Sequence, residues 1–246
     1  MRLQQLHVVL VEPQGAANVG SVARAMMNFG FTSLRLVRPR VDHRAPAARH
    51  MAVSAADLLA GAEIHDSLAS ALADCHFSMG TTRRFGKYRQ DLLLPRQAGE
   101  AVAGLADGTV AALVFGREDS GLTTAELDQC QQLITIPTLP ALPSMNLAQA
   151  VTVLLYEASL ALQTPSMPAR REMAATHEEV EAMFAHMRQT LLDAEFLDPQ
   201  NPDHLLHAFR RMFGRAGLGE REVRILHGLW SRIDWLNSKR AGNGPA

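Results

Sequence analysis

The stretch Leu133–Tyr156, LITIPTLPALPSMNLAQAVTVLLY, decides how this chain is read. It opens on the β-branched run Ile134-Thr135-Ile136, the composition of a short buried strand. Pro137, Pro140 and Pro143 then exclude both helix and central strand, so a stiff loop follows. At Asn146 the pattern changes to helix. Asn146 and Gln149 have the spacing of an N-cap and its N3 partner, and Leu147, Val151, Leu154 and Leu155 form one apolar face. A strand, a rigid loop and a capped helix start make a rim whose free backbone N–H groups can face a ligand. An ordinary strand-to-helix connection reads the same way, so the stretch needs partners elsewhere in the chain.

Those partners emerge from the segments upstream. His7 to Val11 is an apolar strand ended by Glu12-Pro13-Gln14-Gly15. Asn18 is placed to cap a helix from Val19 to Phe29, with Gly30 as its stop. Strands are expected at Ser33 to Val37, Phe77 to Thr81 and Val110 to Phe115. Residues 38–50 read as loop, helical stretches as 52–60 and 67–75, and 83–96 as a basic loop. Thr123 or Thr124 caps a short helix to Cys130. Near-continuous apolar strands alternating with helices indicate an α/β fold, a mainly parallel sheet with helices on both faces. Ligands in such sheets sit at the carboxyl ends of the strands, the edge that holds Asn18, Thr81, Gly116 and the loop after Ile136.

Composition narrows the class. The chain has 246 residues, 47% of them hydrophobic, and a formal net charge of −1. No apolar run approaches the ~20 residues of a membrane span, and MRLQQLHVVLV lacks a signal-peptide pattern, so a cytoplasmic protein without a membrane partner is expected. Cys75 and Cys130 stand alone and read as reduced, buried thiols. The charge is uneven. Residues 35–49 hold five arginines against Asp42, and residues 83–96 hold Arg83, Arg84, Lys87, Arg89 and Arg96 against Asp91. Such clusters are either solvated loops or phosphate contacts.

A polar, proline-containing linker begins at Gln163, and beyond it the pattern is helical: 177–193, 202–213 and 219–237. Domains are therefore expected at 1–163 and 177–246, with 164–176 between them. The second half is acidic over 177–203 and basic over 204–246. A helical bundle used for dimerisation and an RNA-backbone contact surface both fit it.

Several chemistries are excluded. Gly15 to Gly20 lacks the GxGxxG spacing, and no Gly-Lys-Ser/Thr follows, so neither a dinucleotide fold nor a P-loop is read. The ten histidines show no paired ligand spacing, and no metal site is expected. Ser120 is not in a GxSxG elbow.

Three motifs remain: NVGSVAR at 18–24, LVFGREDSGL at 113–122 and IPTLPALPSMNLAQA at 136–150. In that order, on those elements, they resemble the three motifs of the SPOUT superfamily of RNA methyltransferases. HLLHAFRRMFGRAGLGEREVRILHGLW at 204–230 further resembles the TrmJ-type tRNA 2′-O-ribose methyltransferases. The resemblance implies a C-terminal trefoil knot in the α/β domain, a homodimer formed through the knots, and S-adenosylmethionine as methyl donor. It implies a cofactor site of Thr81, Thr82, Arg83, Gly116, Glu118, Ile136, Pro143, Ser144 and Met145, with Asn146 and Leu147 completing the adenosine-binding wall. It implies Arg24, Asn18, Arg84 and Ser144 as catalytic candidates. The apolar turn Met26, Met27 and Phe29 suggests that Arg24 faces a cleft.

Ser144-Met145-Asn146 stands where the family more usually has Ser-Leu-Asn, Gln14 to Ala17 where relatives often have a His-Pro-Gly type of turn, and Arg83 where a small residue is common. The reaction implied is methylation of a ribose 2′-OH of tRNA, at nucleotide 32 of the anticodon loop. Ribosomal RNA or another tRNA position, and a non-catalytic module binding the cofactor or RNA, are the alternatives.

Overall fold

The computed structural model describes residues 5–83, 92–163 and 174–242. Seven strands form one sheet in the order β3-β2-β1-β6-β4-β7-β5, and every neighbouring pair among the described residues is parallel. They are β1 (Leu6–Val11), β2 (Ser33–Val37), β3 (Glu63–His65), β4 (Phe77–Thr81), β5 (Leu92–Leu93), β6 (Ala111–Phe115) and β7 (Gln132–Ile134). β1 and β6 are buried along their whole length, as two-sided apolar strands must be.

Helices cover both faces. On one side lie α1 (Ala16–Asn28), α2 (Pro46–Ala52), α3 (Ala56–Ala60), α5 (Pro95–Ala103) and α7 (Leu147–Gln163), over a core that includes Leu10, Met26, Phe31, Phe115, Ile134 and Leu154. On the other, α4 (Leu68–Leu72) and α6 (Thr124–Leu127) cover Val9, Val11, Ala112 and Val114. α1 and α2 cross closely at Gly20, where a Cβ would stand 2.0 Å from the Ala48 carbonyl oxygen. Only glycine fits that crossing. The C-terminal helices α8 (His177–Asp193), α9 (Asp203–Ala216) and α10 (Glu220–Gly242) have their own core around Met183, Phe184, Met187 and Trp230. They meet the sheet domain where His177 N–H donates to the Cys75 carbonyl at 2.6 Å.

Several expectations need correcting. The helix α1 begins at Ala16 with Gly15 at its N-cap, so Asn18 lies inside the first turn and is not the cap. The stretch 38–50 is not all loop, because Pro46 starts α2 at the position where its missing N–H costs nothing. β7 is Gln132–Ile134 instead of 134–136: β4 ends at Thr81 and β5 at Leu93, both opposite Ile134, so the pairing that defines the strand stops there. The strands β3 and β5, of three and two residues, are too short to show an alternation, and α5 follows the basic loop where no helix is expected. Arg84, Lys87 and Arg89 of that loop lie outside the described residues, as do linker residues 164–173. Cys75 is buried, as expected, and burial pushes its thiol up to about 12; Cys130 is only partly buried.

At the far end of the sheet, Arg35 crosses from β2 to bind Asp74 through both Nη atoms, at 2.6 and 2.8 Å, and Glu63 at 3.1 Å. His7, Asp74 and Cys75 stand close enough together to hold a metal ion, but the Arg35 guanidinium already supplies the cation there. His7 is buried beside it; burial, then the Arg35 charge, lowers its pKa from 6.5 to about 4. A neutral native histidine that protonates at 6.5 in the unfolded chain means the unfolded state binds more protons below that pH. Stability contributed by His7 is thus full above pH 6.5 and lost as pH falls towards 4, by about 3 kcal/mol at ~1.4 kcal/mol per pH unit. Thermal unfolding followed from pH 7 to pH 4 is expected to show a shallower fall in Tm for His7→Gln than for the unaltered chain; parallel curves would assign the acid sensitivity to other groups.

Candidate functional site

At the carboxyl ends of β4, β6 and β7 the loops enclose a cleft of about 840 Å³, counted to its open mouth. Its walls combine apolar Phe115, Leu122, Ile134, Ile136 and Leu147 with polar Thr82, Glu118 and Ser144. Thr81, Thr82 and Arg83 arrive from the end of β4, Gly116 and Glu118 from the turn after β6, and Ile136, Pro143, Ser144, Met145 and Leu147 from the loop between β7 and α7. Ten of the residues expected to bind a cofactor therefore line one cleft, although they come from three distant segments.

Local chemistry explains each wall. Thr81 Oγ1 donates to the Val114 carbonyl at 3.0 Å and Thr82 N–H to the Ile134 carbonyl at 2.9 Å, fixing the end of β4 against β6 and β7. After β6 the chain reverses tightly. Arg117 N–H donates to the Gly121 carbonyl and Gly121 N–H to the Arg117 carbonyl, with Gly121 at φ 72°. Gly116 is pressed against that turn: an added Cβ would lie 2.1 Å from the Gly121 carbonyl carbon and 2.3 Å from Leu122 N. The proline loop is braced by Thr138 Oγ1 donating to the Pro143 carbonyl at 3.2 Å. Asn146 then caps α7, its Oδ1 accepting from Ala148 N–H at 2.9 Å and Gln149 N–H at 3.3 Å.

The three motifs meet through one chain of hydrogen bonds. The Glu118 carboxylate accepts from the backbone N–H of Gln14 at 2.9 Å and of Gly15 at 3.0 Å, and from Asn18 Nδ2 at 3.0 Å. An acid there also suits the positive end of the α1 dipole. Asn18 Oδ1 in turn accepts from Asn146 Nδ2 at 3.0 Å. Asn146, expected in the adenosine wall, does not line the cleft and instead ties the α7 start to α1.

Not every candidate converges. Arg24 sits on an exposed part of α1 and does not line the cleft of its own chain; nearby Met26 is core, while Met27 is 44% exposed. Arg84 lies outside the described residues. Arg117, which is not among the expected site residues, also lines the cleft. It grips Glu126 through both Nη atoms, at 3.0 and 2.9 Å, and reaches Glu12 at 3.0 Å. Burial pushes the Glu126 carboxyl up, but Arg117 and the Thr123 N–H outweigh it and hold it below its ordinary value. The Thr123-x-x-Glu126 capping box was the available signal for that pair.

The same turn makes Gly116 a sensitive position. Gly116→Ala must displace the 116–122 backbone and is expected to cost ~1–3 kcal/mol, as other overpacked sites do. Chemical denaturation would read it, and an unchanged midpoint would show that the turn gives way freely.

Comparison with known proteins places this geometry. The model of the SpoU rRNA Methylase family matches residues 5–156, and that of the tRNA methyltransferase TrmJ, C-terminal domain, matches residues 178–244. The chain is 39% identical over 240 residues to the tRNA (cytidine/uridine/adenosine-2′-O-)-methyltransferase TrmJ of Pseudomonas aeruginosa, covering 92% of this chain and 93% of that one. It is also 39% identical to the tRNA (cytidine/uridine-2′-O-)-methyltransferase TrmJ of Klebsiella pneumoniae, covering 96% and 98%. The crystal structure of TrmJ from Z. mobilis superimposes with a TM-score of 0.80 at 32% identity, over 93% of this chain and 98% of that one. The chain belongs to the SpoU methylase family, among the TrmJ tRNA methyltransferases.

Proposed function

We propose that this chain methylates a ribose 2′-OH of tRNA, with cytidine or uridine at nucleotide 32 of the anticodon loop as the target. The observation that carries the reading is the single cleft in which Thr82, Glu118, Ser144 and Leu147 meet, in a chain 39% identical to enzymes named for this reaction. The cleft suits S-adenosylmethionine: Ile136, Leu147 and Leu122 offer apolar surface for an adenine ring, and Thr82 and Ser144 offer hydroxyls at its edge. Bound there, the cofactor supplies an electrophilic methyl group. The residues' task is to hold the ribose oxygen in line with it and to exclude water.

A guanidinium with a pKa above ~12 is a poor base. Arg24 and Arg84 are therefore assigned to clamping the target phosphate and to stabilising negative charge on the 2′ oxygen, while Ser144 fixes the nucleotide and the proton leaves to phosphate or water. Because Arg24 is exposed and away from its own cleft, its phosphate role is best served across a homodimer, where it completes the partner's site. Exposed Leu139, Leu142, Tyr156 and Leu160 on the proline loop and α7 supply an apolar surface for that contact. The knot belongs to the same proposal. It is supported by the place of β7, which lies between β4 and β5 although both precede it in the chain.

The domain division 1–163, 164–176 and 177–246 is likewise proposed, on the strength of the separate C-terminal core. A cytoplasmic location follows from a tRNA substrate; no helix among the described residues is long and apolar enough to cross a membrane.

The test is nucleoside mass spectrometry of tRNA incubated with S-adenosylmethionine and the purified chain. A 2′-O-methylcytidine or 2′-O-methyluridine signal mapping to nucleotide 32 is expected, reduced about 100-fold in Arg24→Ala. Arg24→Lys is expected to recover little of it, since an ammonium lacks the bidentate fork. Methylation elsewhere on the tRNA would displace the site assignment, and no methyl transfer to tRNA would overturn the reading.

A further inference from the structure

The loops that follow β1 and β2 carry strain and charge at one point. Glu12 and Arg38 both have left-handed backbones, φ 47° and 44°, although neither is glycine. Conformations of that kind persist only where the surroundings impose them, and they gather at functional sites. Here the imposing contacts are backbone bonds between the two loops: Glu12 N–H to the Val37 carbonyl at 2.8 Å, and Arg40 N–H to the Pro13 carbonyl at 3.0 Å.

The strained backbone delivers a buried carboxylate to three guanidinium groups. Glu12, 6% exposed, accepts from Arg40 Nε at 2.8 Å and Nη2 at 2.5 Å, pairs with Arg38 Nη2 at 3.0 Å, and meets Arg117 Nη2 at 3.0 Å. The hydrogen bonds from Arg117 and Arg40 hold its carboxyl down at about 2, so it stays charged at any ordinary pH. Arg117 is largely buried and is spent on Glu126. Arg38 and Arg40 differ: their side chains remain 55% and 65% exposed. Two carboxylates, Glu12 and Glu126, thus face three arginines, and the surplus positive charge sits on the two exposed forks.

The surroundings strengthen that sign. Arg44 and Arg49 are exposed on the following segment, and Asp42 is the one acid between residues 35 and 49. Beside the cleft, Glu118 is engaged by the α1 N-terminus and Asp119 by Gln14 Nε2 at 3.1 Å. The chain Glu12-Pro13-Gln14-Gly15 runs directly from the arginine cluster to the Glu118 junction of the cleft. Neither Arg38 nor Arg40 lines the cleft itself.

We propose that Arg38 and Arg40 form a clamp for a backbone phosphate of the RNA strand lying beside the cleft, and that Glu12 is the positioning residue that aims both forks. The inference rests on the RNA-methylating function proposed above. Guanidinium forks match phosphate oxygens in pairs, and forks already ordered lose little side-chain freedom on binding. The strain at Glu12 and Arg38 is then the cost of that order.

Arg38→Gln/Arg40→Gln, Glu12→Gln and the unaltered chain would be compared in tRNA binding across a salt series, in steady-state methylation of tRNA, and in calorimetric binding of S-adenosylmethionine alone. The double variant is expected to raise the KM for tRNA about 10-fold or more and to flatten the slope of log binding constant against log salt by about 1–2. Its kcat at saturating tRNA and its cofactor affinity are expected to stay within about threefold of the unaltered chain. Glu12→Gln is expected to raise KM in the same direction with all arginines present, which loss of charge alone would not explain. Should Glu12→Gln fail to fold, the double variant decides the clamp. Methyl transfer by the unaltered chain with unchanged KM and salt slope in the double variant would overturn this inference alone. No transfer to tRNA by the unaltered chain would overturn the underlying reading, and this inference with it.

Discussion

A single carboxylate holds the site together. Glu118 lies on the turn after β6, yet its hydrogen bonds all go to the start of α1, one hundred residues earlier in the chain. Two backbone N–H groups and one side-chain amide are satisfied at once; those of Gly15 and Asn18 are partly buried, where leaving a donor unmet costs ~1–3 kcal/mol. Through Asn18 the same junction reaches Asn146 and so fixes where α7 begins. Glu118 also lines the cleft, whose other walls come from the end of β4 and the loop between β7 and α7.

The sheet supplies the platform. Parallel strands put all their carboxyl ends on one edge, so the turns after β4, β6 and β7 must be neighbours whatever their distance in sequence. Burial on both faces leaves β1 and β6 rigid, and the loops above them can hold unusual backbone without losing the fold. Two such loops bring Glu12 to its arginines; a third, tightened at Gly116 and Gly121, forms one wall of the cleft. The opposite edge of the sheet is charged in a different way, with Arg35 sealed between Asp74 and Glu63 beside an uncharged His7. Arginines that sequence groups together at 35–49 therefore do different jobs: Arg35 is buried and structural, while Arg38 and Arg40 pair with Glu12 at the loop edge.

Much of this was legible because the central strands are apolar throughout. HVVLV, SLRLV and VAALVF each match an observed strand to within a residue, and the Asn146 cap was visible from its spacing to Gln149. What escaped was whatever depends on neighbours far away in sequence. Asn18 reads as a cap because Asn is good at it, but its side chain is taken by Glu118 and Asn146, and Gly15 takes the cap position. β3 is three residues of an exposed edge, Glu63–His65, and makes sense only beside β2. Arg24 carries no local signal of whether it faces its own cleft or a partner's. Arg117 sat inside a recognised motif, but its ties to Glu12 and Glu126 exist only in three dimensions.

Glu118, Asn18 and Asn146 form one hydrogen-bonded unit beside the cleft, and the proposed cofactor site depends on it. A double-mutant cycle with Glu118→Ala and Asn146→Ala, read by calorimetric titration of S-adenosylmethionine, tests it most directly. Among the described residues, hydrogen bonds link the two positions through Asn18, the route by which coupling between them is expected to pass. The losses in binding free energy are expected to be non-additive by ~0.5–3 kcal/mol, with the second substitution costing little once the first is made. Strict additivity, or unchanged affinity in both single variants, would contradict that dependence.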